Sequence, residues 1–160
     1  MRGGSPPPNT NESCIGVRFI VVTKSRDHFM ANLVLNRIKT PDGTILTSYH
    51  RHDFVTHEDK NGLTYFIDGG TEFRKASRHD DHPYENLCVY DDDDFEIVRE
   101  SYHWGTRGIK GDQPVKWVAL SQLDTDHIEA ILETETYLKE HRLKLFREEL
   151  AYRKEHKLTD

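Results

Sequence analysis

Thr40-Pro41-Asp42-Gly43 and Glu58-Asp59-Lys60-Asn61-Gly62 are the two stretches whose reading decides the fold. In the first, proline presets φ for the leading central position and glycine supplies φ > 0 where a new strand begins. In the second, Asn-Gly is the strongest short hairpin signal. The flanks are β-branched or aromatic at strand spacing. Leu33, Leu35 and Ile38 precede the first turn within a strand expected over residues 29–39. Ile45 and Leu46 follow it, in a strand that the pattern carries on to His57. Leu63-Thr64-Tyr65-Phe66-Ile67 returns from the second turn, and Asp68-Gly69-Gly70 ends it. Upstream, Val17, Phe19, Ile20, Val21 and Val22 make residues 15–23 a further strand candidate. Residues 15–67 therefore read as an antiparallel meander.

The register of the second hairpin stays open. Centred on Lys60, it sets Val55 against Tyr65, Phe54 against Phe66 and His52 against Asp68. A two-residue Asn61-Gly62 turn shifts the register and removes the last contact. A His52–Asp68 pair would hold the imidazole in one tautomer and raise its pKa. With no nucleophile identifiable nearby, structural pairing is the simpler reading of that pair.

Downstream the pattern changes twice. Residues 86–90 suggest a short strand, and Asp91 to Asp94 precede one or two helical turns. Residues 102–106 and 115–120 read as a second hairpin around a loop containing Gly108, Gly111 and Pro114. From Asp124 the period becomes helical. Ile128, Ile131 and Leu132 share one face, and Leu143, Phe146 and Leu150 another. The weak apolar phase between Leu132 and Leu138 favours two helices over one rod. The expectation is an α+β domain over residues 14–158: an N-terminal antiparallel meander, a second hairpin, and one or two C-terminal helices. Residues 1–13, rich in Gly, Ser, Pro and Asn, read as a disordered tail.

Composition narrows the function. The chain has 160 residues, enough for one core. Its net charge of −6 disfavours a dedicated nucleic-acid binder, which needs a basic surface. No apolar run reaches the roughly 20 residues of a membrane span, and no apolar signal core opens the chain. Cys14 and Cys88 form neither a zinc site nor a disulfide framework, which suits a cytoplasmic protein.

The chain resembles a family of small uncharacterised domains of tailed-phage accessory proteins. The resemblance rests on His50-Arg51-His52-Asp53-Phe54, Asp68-Gly69-Gly70, Phe73-Arg74-Lys75 and Trp104-Gly105-Thr106. It continues in Asp126-His127-Ile128-Glu129-Ala130-Ile131-Leu132 and Phe146-Arg147-Glu148-Glu149-Leu150. These blocks are scattered over roughly residues 30–155. Relatives of this kind often carry a cysteine pair on each of two turns, as in a zinc ribbon. The matching turns here, Pro41-Asp42-Gly43 and residues 58–62, contain no cysteine, so the resemblance brings no structural zinc with it. It implies a phage or prophage origin and an accessory role in the host cytoplasm.

Several constellations could carry chemistry. His50, His52, His57, Asp68 and His79-Asp80-Asp81-His82 offer enough ligands for a divalent metal and a metal-bound hydroxide. No catalytic spacing joins them, so a solvated sheet face with paired acids is the competing reading and no metal is assigned. Asp68-Gly69-Gly70 with Arg74 and Lys75 could present amides and cations to a phosphate, or simply end a strand. The strongest ligand-binding segment is His103, Trp104, Arg107 and Lys110, with Lys116 and Trp117. Aromatic faces, glycines and cations together are how nucleotides are commonly held. The competing reading makes both tryptophans core anchors. Asp91 to Asp94 lack the alternation and glycine of a calcium loop. Residues 139–157 mix both charge signs and read as a solvated helix face with i,i+4 pairs such as Glu140–Lys144.

The resulting expectation is a non-enzymatic accessory protein needing no cofactor. Its partner is a nucleotide-like anion or a host protein, with counter-defence as a fitting role and a homo-oligomer left open. The ligand-binding residues are His103, Trp104, Arg107, Lys110, Arg74, Lys75, His52 and Asp68. The alternative is a small metal-dependent phosphoesterase or nuclease.

Overall fold

The computed structural model describes residues 30–50, 52–68, 75–76 and 83–158. The expected tail and the strand at residues 15–23 lie outside them. The architecture is α+β: seven antiparallel strands come first, a short helix and a hairpin follow, and the two longer helices come last among the described residues. β1 (Leu33–Lys39) pairs with β2 (Ile45–Ser48) across the Thr40-Pro41-Asp42-Gly43 turn. There the Thr40 amide donates to the Thr44 carbonyl and Gly43 takes φ 89°. On its other edge β1 pairs with β6 (Glu85–Asn86) and β7 (Val89–Tyr90). A second sheet holds β3 (Val55–Glu58), β4 (Thr64–Asp68) and β5 (Lys75–Ala76), in that order.

The meander therefore differs from expectation in one place. The strand does not run from Thr44 to His57 but breaks between Ser48 and Val55. Asp53 is the cause. Its carboxylate accepts from the Tyr49 amide at 2.9 Å, its carbonyl accepts from Ser48 Oγ at 2.7 Å, and its own amide donates to the His50 carbonyl. A short side chain that bonds the neighbouring backbone outcompetes the ladder. The result is two packed sheets in place of one.

The second hairpin adopts neither expected register. Val55 faces Ile67, Thr56 faces Phe66 and His57 faces Tyr65, so the loop is centred on Asn61. Asp59 sets this register. Its Oδ1 accepts from the amides of Asn61 and Leu63, and its own amide donates to the Leu63 carbonyl. Gly62 then supplies the positive φ of a three-residue loop. His52 lies outside the paired region, so the His52–Asp68 pair does not form. Asp68 stands opposite Lys75 instead.

α1 (Phe95–Ser101) follows the aspartate run, as expected. Asp91 takes the amide and side chain of Asn32, and Asp93 takes the Tyr90 amide, so these carboxylates tie down a turn. β8 (His103–Thr106) and β9 (Lys116–Ala119) form the later hairpin. A 3-10 turn over Leu120–Gln122 leads to two separate helices, α2 (Thr125–Thr134) and α3 (Glu140–His156).

Two apolar clusters result. Ile38, Leu46, Tyr65 and Ile67 fill the space between the sheets. Val34, Leu35, Val89, Val98, Tyr102, Leu120, Ile128, Leu145 and Phe146 belong to the cluster beneath the helices. Ile128 and Phe146 are fully buried, and burial pushes the Tyr102 phenol up to about 12.

The buried side of α3 is not the apolar stripe alone. Leu145, Phe146, Glu149 and Arg153 are its buried residues, whereas Leu143 and Leu150 are half-buried. Glu149 is bound in bidentate fashion by Arg99, at 2.8 and 2.7 Å, and by Arg153 Nε at 2.7 Å. Arg153 also donates to the carbonyls of Leu120, Ser121 and Leu123 and to Thr125 Oγ1. The helix read as solvated thus carries a buried ionic network. Glu140 pairs with Arg147 rather than Lys144, and Lys144 pairs with Glu148.

Removing one member of a closed buried pair strands the others, which costs about 3–5 kcal/mol. Glu149→Ala is expected to lose that much in urea unfolding, and Glu140→Ala next to nothing. Phe146→Ala, which empties a fully buried ring site, is expected to cost about 3–5 kcal/mol by the same measurement.

Candidate functional site

The β8–β9 ribbon is held on both faces, and strand alternation explains how. Trp104 pairs with Val118 on one face, and both pack on the helical core. The Trp104 indole meets the Phe146 ring edge-to-face at 5.4 Å and 86°. His103, Gly105 and Trp117 occupy the opposite face. The Trp117 ring lies over Gly105, where an added Cβ would sit 3.0 to 3.3 Å from three ring carbons. His50 stacks on the Trp117 indole at 4.5 Å and 12°. Tyr49 packs edge-on to His103 at 4.5 Å, and His103 Nδ1 donates to the Ser101 carbonyl. The Asp53-bonded turn thus places Tyr49 and His50 against the ribbon.

Beyond Thr106 and Lys116 the hairpin projects freely. Residues 107–115 are all exposed, and Ile109 fully so. Arg107 and Lys110 flank it in the loop and Lys116 opens β9, all three exposed, with Val115 and Trp117 also exposed. The loop is nonetheless ordered internally. The Gln113 amide donates to the Arg107 carbonyl, the Gly111 amide to Gly108, and the Gly108 amide to Thr106 Oγ1. Gly108 and Gly111 take positive φ, a conformation that favours glycine.

Four of the expected ligand-binding residues, His103, Trp104, Arg107 and Lys110, therefore share one ribbon. They do not share one role. Trp104 is a core anchor, not a platform for a base. His103 is fixed by Ser101 and Tyr49, and only Arg107 and Lys110 are free at the tip to meet a partner. The expected helpers lie elsewhere. Asp68 ends β4, where its carbonyl accepts from the buried Asn36 amide, and His52 is exposed in the turn after β2. Lys75 is described only in its backbone, and Arg74 falls outside the described residues. The contact that sequence reading missed is His50 on Trp117. Gly105 opposite a tryptophan was its faint signal, since an aromatic ring often covers a strand glycine.

Among the described residues no group of three or more His, Cys, Asp or Glu side chains is placed to hold a metal ion. His79, Asp80, Asp81 and His82 lie outside them. Among the described residues His57 pairs with Asp42, at 2.7 Å. Asp42 also accepts from Thr40 Oγ1 and the Thr44 amide. The Thr40 hydroxyl and then His57 hold its carboxyl well below the ordinary value of 3.8. The pair staples the first turn to β3.

No family model, no curated protein and no solved structure matches this chain. No helix among the described residues is long and apolar enough to cross a membrane.

Two measurements check this geometry. Because the Asp42 pKa is depressed on folding, its stabilisation is present above 3.8 and is lost as the pH falls through the lower folded value. Asp42→Asn should lower the thermal midpoint at pH 7, and the gap to the parent should narrow below pH 4. Gly105→Ala pushes a methyl into the Trp117 ring. It should cost about 1–3 kcal/mol, the usual range for overpacking, and should change the tryptophan fluorescence as the His50 stack loosens.

Proposed function

We propose that this chain is a non-enzymatic accessory module that grips a partner protein with the tip of the β8–β9 hairpin. For a chain of the phage type that the sequence resembles, that partner is a protein of the host cell. The observation that carries the reading is the fully exposed Ile109 among Arg107, Lys110 and Lys116, on a ribbon whose base is pinned on both faces. An apolar side chain and an arginine on a pre-ordered loop lose little freedom on binding, which is what anchors an interface.

The charge of the tip favours an acidic partner. The chain carries −6 overall, whereas on this projection Arg107, Lys110 and Lys116 outnumber the single carboxylate of Asp112, which leaves a local positive field. The nucleotide reading has less support. Trp104 is committed to the core, and the Trp117 indole already carries Gly105 and His50. A convex tip offers cations but no free ring for a base.

The test is a comparison of the parent chain with Arg107→Glu and Ile109→Asp in cross-linked capture from host lysate. Affinity for the captured protein is then measured by calorimetry. Each change should weaken binding at least about tenfold, the scale of one interface anchor, and leave the thermal midpoint unmoved. Binding by the parent should weaken as salt rises. Undiminished capture by both variants overturns the reading, as does stoichiometric binding of a nucleotide that both variants lose.

A further inference from the structure

Seven tyrosines differ sharply in what can reach them. Tyr65 and Tyr102 are buried, and Tyr90 and Tyr152 half-buried. Tyr49 is 41% exposed but packs on His103, and Tyr84 is 37% exposed. Tyr137 stands apart at 81%. It occupies the turn between α2 and α3, where the Leu138 side chain packs on the helical core and holds the turn in place.

The neighbourhood of Tyr137 is acidic on its N-terminal side. Glu133 and Glu135 precede it, and Glu140 opens α3. The Tyr137 hydroxyl donates to Glu135, and that carboxylate pushes its ionisation upward. The group presented at neutral pH is a neutral phenol bordered by carboxylates.

We propose that Tyr137 is a modification site that accepts a phosphoryl group from a nucleoside triphosphate, delivered by a protein tyrosine kinase that reads acidic residues before its target. Tyr137 Oη forms a bond to the γ-phosphorus as the bond from that phosphorus to the β–γ bridging oxygen breaks. The nucleoside diphosphate leaves, and the phenolic proton passes to the kinase's catalytic carboxylate. A basic substrate groove in such an enzyme finds Glu133 in the last turn of α2 and Glu135 in the turn just ahead of the exposed phenol.

The fold also tolerates the product. Phosphorylation adds about −1.5 to −2 charges. Here that charge arrives just ahead of the first turn of α3, a helix of 17 residues. The α3 N-cap is Lys139, which makes no side-chain capping bond. A helix N-terminus favours an anion, which opposes the repulsion from Glu135 and Glu140. This site is independent of the hairpin.

The test incubates the full chain with Mg-ATP and a purified tyrosine kinase of acid-directed specificity, followed by peptide mass mapping. The expected result is one phosphoryl group per chain, located at Tyr137 and lost in Tyr137→Phe, with a several-fold slower reaction in the Glu133→Gln, Glu135→Gln double variant. Tyr137→Phe is a surface change and keeps the fold, which its unchanged thermal midpoint confirms. Label on Tyr49 or Tyr84 in preference to Tyr137 overturns the proposal. So does an unlabelled chain in a reaction where an acidic control peptide is labelled.

Discussion

Glu149 has no exposure to water, and two guanidiniums, those of Arg99 and Arg153, close on its carboxyl. Arg99 brings α1 to that carboxylate, and Arg153 brings the end of α3 back onto the 3-10 turn after β9. One ion thus joins α1, α3 and the segment that leads into α2. Arg99 also sits 4.6 Å over the Tyr152 ring, so the same cation is packed as well as paired. Isolated charges cannot be buried at such a site. The geometry has to be complete, with every donor satisfied, before burial becomes affordable in free energy. This makes the network a determinant of helix register more than a source of raw stability.

The position of the hairpin follows from that register. α3 presents Phe146, and Phe146 receives Trp104 on one side and Tyr102 at 5.7 Å on another. With Trp104 fixed, strand alternation turns Trp117 and His103 towards the Tyr49–Asp53 turn. That turn in turn depends on β1, the strand that serves both cores. Val34 and Leu35 lie in the helical cluster and Ile38 in the one between the sheets. Buried Asn36 links β1 to the second sheet through the Asp68 carbonyl and takes the Cys88 thiol on its oxygen. The projecting loop is therefore supported from both layers, which lets a short ribbon with an exposed tip hold one orientation.

Much of this was legible in local sequence. Thr40-Pro41-Asp42-Gly43 turned where proline and glycine required it, and Asp91 to Asp94 opened a helix, because each feature depends on backbone preferences a few residues long. The weak apolar phase between Leu132 and Leu138 correctly separated α2 from α3. The hairpin of His103 and Trp117 was visible from its glycines. Charged residues misled where burial decided the outcome. Glu149 and Arg153 read as a solvated face because nothing nearby in the chain names Arg99, fifty residues away from Glu149.

What the sequence determined by itself was the α+β order of elements, the turn positions and the cation-rich, glycine-rich hairpin tip, since these rest on steric and periodic rules within one segment. Only the tertiary structure decided which tryptophan is core and which is stacked, that His50 rather than His52 meets the hairpin, and that His57 pairs with Asp42 in place of His52 with Asp68. Those outcomes turn on register. Asp59 set the second hairpin one residue away from its nearest guess, and Asp53 broke a strand that alternation alone would have continued. In each case a single carboxylate bonding to backbone amides outweighed the pattern of apolar side chains, because an unsatisfied amide costs more than a misplaced strand end gains.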